Sequence, residues 1–353
     1  MRAPTMKDVA EAAGVSVATV SRVLSGSPHS SEDVRKRVLE AAEALQYRPD
    51  QVARSLRRRQ TDLIGFVASS IENGFFTEVA HAAEQAARRR GYSLIVCNTD
   101  ESPELEEEYV SILDRLLVAG IILAPAPGPG HHLQRFIDAG LPIVLVNRRL
   151  DQLGCVSITA NDEEAAFMCV SSLIDNGRQR IAAVKGLDAI STTDQRLRGY
   201  RRALATADLI ARHSEALEVD GKAHIVGGYE ATCSLMRLSQ PPDAIFAFNN
   251  LMTQGAIMAL HDLGVQRPEQ VEVAGFGPAT MSNLYRPPLT IVAQPTHQMG
   301  ECAVETLLDL VAKEAPDGCQ AIILQNKLVT PASTALSAEE TPLRESGWQV
   351  NRS

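Results

Sequence analysis

Nowhere in the 353 residues does an apolar run approach the roughly 18 residues needed to span a bilayer. The opening stretch, "MRAPTMKDVAEAAG", lacks the apolar core of about 7–15 residues that marks a secretory signal. No membrane partner is expected, and a cytoplasmic location is. The six cysteines (Cys97, Cys155, Cys169, Cys233, Cys302, Cys319) include no CxxC pair. Such scatter argues against a disulfide framework or a zinc site and for free thiols in a reducing compartment. Walker, HExxH and GxSxG motifs are missing, and "GFGPAT" around Gly275 and Gly277 is not a GxGxxG fingerprint. His131 and His132 are adjacent, so they cannot share a helix face as HxxxH ligands would; they read as the start of a surface helix. These absences point away from an enzyme, with no cofactor and no metal expected.

What is present is unevenly charged. Residues 1–60 hold 11 Lys+Arg against 7 Asp+Glu, a net of +4. The rest holds 23 against 36, a net of −13. A basic head on an acidic body is suited to a polyanion that the body avoids. The length also exceeds what one core usually serves, so two or three units are expected.

The head reads as three short helices. In "TMKDVAEAAG", Thr5 can cap, Asp8 lies in the first turn, and Val9, Ala12 and Ala13 have helical apolar spacing. Gly14 ends it. Ser16 then caps "VATVSRVLSG", where Val20, Val23 and Leu24 form a buried stripe and Val17, Ala18, Thr19, Ser21 and Arg22 face elsewhere. A third helix begins near Ser31, with Val34, Val38, Ala41, Ala42 and Leu45 apolar, and ends before Pro49. Helix, glycine-containing turn and small polar-faced helix make a helix-turn-helix pattern. By spacing alone, an ordinary three-helix bundle fits equally well.

The wording decides further. "KDVAEAAGVSVATVSRVLSGSPHSSEDVRKRVLEAAEALQYRPDQVARSLRRRQT" resembles, without gaps, the N-terminal headpiece of the LacI/GalR family of bacterial repressors. The resemblance implies that the helix from Val17 enters the major groove of operator DNA. Thr5, Ser16, Val17, Ala18, Thr19, Ser21 and Arg22 are then the headpiece's DNA-contact candidates. Arg22 has the fork that reads guanine O6 and N7, whereas Val17 and Ala18 offer only apolar contacts.

"PDQVARSLRRRQT" resembles the family's hinge helix. On its own it reads as a solvated tether. The resemblance implies that Leu56 wedges into a central minor-groove step, that Ala53 lets paired hinges approach, and that Arg54, Arg57, Arg58 and Arg59 lie near phosphates.

From Asp62, apolar strands alternate with amphipathic helices such as "FTEVAHAAEQAARRRG" and "QRLRGYRRALATADL". Strands are expected at 63–69, 93–99, 120–125, 142–147, 180–185, 244–249 and 271–277. Continuous apolar strands between helices mean parallel sheets covered on both faces. Seven suit two lobes, with ligands at the strands' C-terminal ends between them. "LIGFVASSIENGFFTEVAHAAEQAARRRGYSLIVCNT", "NGRQRIAAV", "AIFAFNNLMTQGAIMAL" and "PPLTIVAQP" resemble the family's effector domain, which has the two-lobed α/β fold of type I periplasmic-binding proteins. The resemblance covers about residues 5–334. It implies a helix-turn-helix headpiece over 1–48, a hinge over 49–61, a two-lobed effector-binding and dimerisation domain over 62–336, and a polar tail over 337–353.

Matching loops nominate Ser69, Phe75, Phe76, Asn147, Arg148, Thr192, Thr193, Arg196, Asn249 and Gly277 as effector-site residues. Three positions depart from the family pattern. Gly277, Asn250 and Asn147 each stand where an Asp is usual, while Arg148 and Arg196 remain. Fewer carboxylates beside the same cations lead to the expectation of an anionic effector, a sugar acid or sugar phosphate. The whole reading is a homodimeric, operator-binding transcription regulator, expected to be a repressor, controlled by a small molecule of the sugar class. The alternative is a small-molecule-binding protein with no DNA function, which would leave the head unused.

Overall fold

The structure, a computed structural model, describes residues 4–24, 31–47, 61–210, 215–313 and 321–331. The chain divides into two compact units, Met1–Thr61 and Asp62–Ser353.

The first unit contains helices α1 (Met6–Ala13), α2 (Val17–Leu24) and α3 (Glu32–Ala44). Thr5 and Asp8 form a reciprocal capping box on α1, with the Thr5 amide donating to the Asp8 carboxylate at 2.7 Å. Gly14 closes that helix in the left-handed region at φ 64°, which a side chain would disfavour. The core joins Val9, Ala10 and Ala13 to Val20, Val23, Val38 and Ala42. Ala12 is exposed and Ala10 takes its place. At about 100° per residue, Met6, Val9, Ala10 and Ala13 share one arc of α1 and Ala12 falls outside it. Leu24 is only half-buried, and Leu45, the C-cap of α3, is exposed.

The second unit has two lobes. The chain order of the first is β1 (Leu63–Ala68), α4 (Gly74–Arg89), β2 (Ser93–Asn98), α5 (Pro103–Arg115), β3 (Gly120–Leu123), α6 (Gln134–Asp138), β4 (Ile143–Val146) and β5 (Val156–Ala160). The second follows with α7 (Asp162–Asp175), β6 (Ile181–Lys185), α8 (Ser191–Thr206), β7 (Glu218–Asp220), α9 (Ile225–Met236), β8 (Ala244–Ala247), α10 (Asn250–Asp262), β9 (Glu272–Gly277), α11 (Met281–Leu284) and β10 (Thr290–Ala293). The chain then returns through α12 (Thr296–Ala312) and β11 (Ala321–Leu324) to the first lobe, and ends with β12 (Lys327–Val329) in the second.

Each lobe is built on a six-stranded sheet, ordered β11-β5-β4-β3-β1-β2 and β12-β10-β9-β8-β6-β7. Every pairing is parallel except β10 with β12. Strands β3, β4 and β8 are buried along their whole length, as expected of parallel strands with helices on both faces. The seven strands expected from sequence are present. Five more, β5, β7, β10, β11 and β12, were not anticipated, and they complete the two sheets.

Three short crossings therefore join the lobes, near Asn161, Gln294 and Gln325. The first and third are tied together. Asn161 donates to Gln325 Oε1 at 2.8 Å and accepts from the Asn326 amide at 2.8 Å. Helices pack closely across each lobe: a Cβ on Gly199 of α8 would fall 2.1 Å from the Glu163 carbonyl oxygen of α7. Among the described residues no helix is long and apolar enough to cross a membrane.

Candidate functional sites: an outward-facing helix and an interlobar cleft

Helix α2 buries Val20 and Val23 and turns its other side outward. Ser16 Oγ accepts from the Thr19 amide at 3.2 Å, the cap expected from sequence. Val17 is 44% exposed, and Ser16, Ala18 and Arg22 are also exposed, while Thr19 and Ser21 are half-buried. Thr5 is engaged in capping α1. Ala53, Arg54 and Leu56 lie outside the described residues.

The cleft of the second unit forms where strands end. After β1, Asn73 caps α4 by accepting from the Phe75 amide at 3.0 Å. That cap fixes Phe75 and Phe76 in the first turn, edge to face with centroids 5.0 Å apart. After β4, Asn147 adopts φ 65°, a left-handed conformation that asparagine tolerates, and turns Arg148 inward. After β6, α8 supplies Thr192, Thr193 and Arg196. After β8, Asn249 caps α10 through the Met252 amide at 2.8 Å and donates to the Ala223 carbonyl at 3.0 Å.

These residues line a cavity of about 50 Å³ that is open to solvent. Phe75, Phe76, Asn147, Arg148, Thr192, Thr193, Arg196 and Asn249 are all in its wall. Ser69 and Gly277 are not. Ser69 is fully buried behind the wall. A Cβ on Gly277 would sit 2.8 Å from Met281 Sδ and 3.4 Å from Asn250 Cβ, so Asn250 lies at this point. Sequence reasoning missed Asn73, Glu101, Phe248 and Gln294, among others, in the same wall. Glu101 follows β2 and Gln294 follows β10, both at the C-terminal strand ends where such sheets bind ligands.

Both arginines are paired. Arg148 donates to both Glu101 carboxylate oxygens, at 2.6 and 2.7 Å, and to the Pro125 carbonyl at 2.7 Å. Arg196 donates twice to Asp162 Oδ2, at 3.0 and 2.7 Å, and once to the Phe248 carbonyl. Its guanidinium lies 3.8 Å over the Phe276 ring. Burial pushes the Arg196 guanidinium below its ordinary value, and the Asp162 charge opposes that shift. The expectation of an anionic effector rested on fewer carboxylates beside Arg148 and Arg196; Glu101 and Asp162, outside the positions compared there, supply a carboxylate to each. Two donors in the cleft wall are buried without a hydrogen-bond partner, Arg148 Nε and Gln294 Nε2.

Behind the cleft, Glu106 is buried. It accepts from the Ala126 amide at 2.6 Å and meets His132 Nε2 at 2.7 Å. His131 and His132 begin a single 3-10 turn, His131–Leu133, with His131 exposed as expected and His132 half-buried. The hydrogen bond to Glu106 raises the His132 imidazole above its ordinary value, against the opposing effect of burial. A histidine raised on folding stabilises the fold below its unfolded pKa, and that contribution is lost as pH rises through the folded value. Thermal melts should therefore show the first lobe weakening as pH climbs upward from the mid-6 range, and His132→Gln should flatten that slope.

A helix-turn-helix unit joined to a two-lobed unit with a polar, aromatic-walled cleft is the architecture of a DNA-binding regulator. The sequence model described as "Bacterial regulatory proteins, lacI family" matches residues 5–50. That described as "Periplasmic binding proteins and sugar binding domain of LacI family" matches residues 61–330. The chain belongs to the LacI family and is a DNA-binding transcriptional regulator. It is 35% identical over 314 residues to catabolite control protein A of Priestia megaterium, covering 89% of this chain and 94% of that one. It is 33% identical over 333 residues to the transcriptional repressor PurR of Aliivibrio fischeri, covering 93% and 98%. Among solved structures it is similar to the lac repressor dimer bound to operator and the anti-inducer ONPF, with TM-score 0.81, 28% identity, and 93% and 98% coverage. The complex of the regulator CelR with cellobiose gives TM-score 0.69, 27% identity, and 93% and 98% coverage. These relatives are regulators rather than enzymes.

Proposed function

We propose that the chain is a repressor whose operator affinity is set by a neutral, sugar-class ligand held between the two lobes of residues 62–336. The observation that carries this is the pairing of unsatisfied donors, Arg148 Nε and Gln294 Nε2, with the Phe75–Phe76 edge in one wall. Hydroxyl oxygens accept from the donors, and the ligand's apolar face packs on the rings. The balanced Arg148–Glu101 and Arg196–Asp162 pairs favour a neutral sugar over a sugar acid or phosphate. Cellobiose in the CelR complex is a ligand of this kind.

The cleft's enclosed space of about 50 Å³ is small beside the roughly 300 Å³ of the smaller ligand pockets. Ligand entry therefore opens the lobes about their three crossings, and the populations of DNA-competent and incompetent states shift. In the DNA-competent state Ser16, Val17, Ala18, Thr19, Ser21 and Arg22 meet the major groove, with Thr5 at its edge. Ala53, Arg54 and Leu56 act at the minor groove. The protein works as a homodimer in the cytoplasm. Exposed apolar residues that support pairing are Ile71 and Val96 on the first lobe and Val226, Met258 and Leu284 on the second.

Calorimetric titration with panels of neutral sugars, sugar acids and sugar phosphates tests the ligand class. A neutral sugar should bind, and Phe75→Ala should weaken it about tenfold, the loss of one aromatic contact. Tight binding confined to acids or phosphates would overturn the neutral assignment.

A further inference from the structure

A second cavity lies away from the cleft. It sits at the opposite ends of the second lobe's strands, beside the starts of β9 and β10. Its volume is about 410 Å³, within the range of roughly 300–1,000 Å³ common to small-molecule sites. Pro268, Pro287, Pro288, Pro331 and Leu289 give it rigid apolar walls.

The polar groups in the wall are unequal. Glu272 is its only carboxylate among the described residues, and it is saturated. Arg178 donates to one oxygen of Glu272 at 3.0 Å, and Asn176 donates to the other at 2.8 Å. Arg178 also donates to the Pro268 carbonyl at 2.6 Å. The Arg178–Glu272 charges therefore cancel. Arg267 stands in the same wall, and its Nη1 is buried with no hydrogen-bond partner. Burial lowers its guanidinium below the ordinary value, and Tyr285 opposes that shift. A partly buried guanidinium without a counter-charge is costly, and a charge-assisted hydrogen bond would offset that cost.

We propose that this cavity is a second small-molecule site, separate from the cleft, that takes a compact anion with a flat apolar body, such as an aromatic carboxylate. Its carboxylate meets Arg267, and its ring lies among the prolines. β9 links the two places, running from Glu272 at this cavity to Gly277 beside Asn250 of the cleft wall. Occupancy at one end thus has a direct covalent route to the other.

The probe is 4-iodobenzoate, titrated by calorimetry into the full chain, with the uncharged 4-iodobenzamide as control. The carboxylate should bind at least about tenfold more tightly than the amide, the worth of one hydrogen bond to a charged group. Arg267→Gln should remove that preference, and Arg267→Lys should keep most of it. Anomalous diffraction from soaked crystals should place the iodine among the prolines. Equal binding of acid and amide, which needs no variant to observe, would overturn the proposal. So would an Arg267→Gln variant that still prefers the acid, or iodine found only in the interlobar cleft or nowhere.

Discussion

Asp162→Ala should destabilise the two-lobed unit by about 3–5 kcal/mol, the usual result of removing one partner from a buried ion pair. Asp162 is 2% exposed and Arg196 is 6% exposed. One Asp162 oxygen takes two donations from Arg196, and the other takes the Asn326 side-chain amide at 2.9 Å. Alanine leaves a buried guanidinium with only the Phe248 carbonyl and the Phe276 face. It also frees Asn326, which belongs to the third crossing between lobes. Urea denaturation of the single variant and of Asp162→Leu with Arg196→Met separates the causes. The double variant should recover most of the loss, because two apolar side chains leave no unpaired charge. Equal losses in both would mean that the space matters more than the charge. Arg196 lines the cleft as well, so the single variant should also bind the cleft ligand less tightly.

Operator binding should fall as steeply when the head is changed. Arg22→Ala removes an exposed guanidinium from the outward side of α2. If it reads guanine, each half-site loses about 1–3 kcal/mol and sequence preference relaxes at that base. A symmetric dimer suffers this twice. Leu56→Ala tests the hinge differently. As proposed, Leu56 would unstack a base step at a cost of a few kcal/mol, offset by the further contacts that the bent DNA makes. Without it, tight operator binding should be lost while cleft binding is unchanged. Gel-shift titrations read both variants, and an unchanged operator affinity for Leu56→Ala would sink the wedge assignment.

The parts legible in the sequence were those with local patterns. Helices α1 to α3 follow capping residues and apolar spacing, and the seven strands that were found are apolar runs, most of them with a helix after them. The strands that escaped are short or lack such flanks. β12 is three residues, β7 is three, and β11 is an isolated "AIIL" with no helix described after it. β5, "VSITA", carries polar residues that nevertheless pack inside. Ala12 was misplaced because i+3 spacing from Val9 alone does not centre the stripe; Met6 and Ala10 do. In the cleft, residues next to strand ends were found together. Glu101 was missed because no motif surrounds it, and Gln294 because the matching stretch "PPLTIVAQP" was read for resemblance and not for site residues; only the topology brings both into the wall that holds Arg148. The same cause hid the carboxylates that pair with the cleft arginines. Arg148 and Arg196 were visible as cations, but their partners lie 47 and 34 residues away in sequence.

The central claim is that a ligand in the interlobar cleft changes affinity for operator DNA. It is tested most directly by gel-shift titration of the intact chain on a duplex selected from random sequence, with and without a sugar shown by calorimetry to fill the cleft. The selected duplex should be pseudo-palindromic, and its dissociation constant should change by about tenfold or more when the sugar is present. Selection of no sequence, or an affinity indifferent to every ligand that fills the cleft, would contradict the claim.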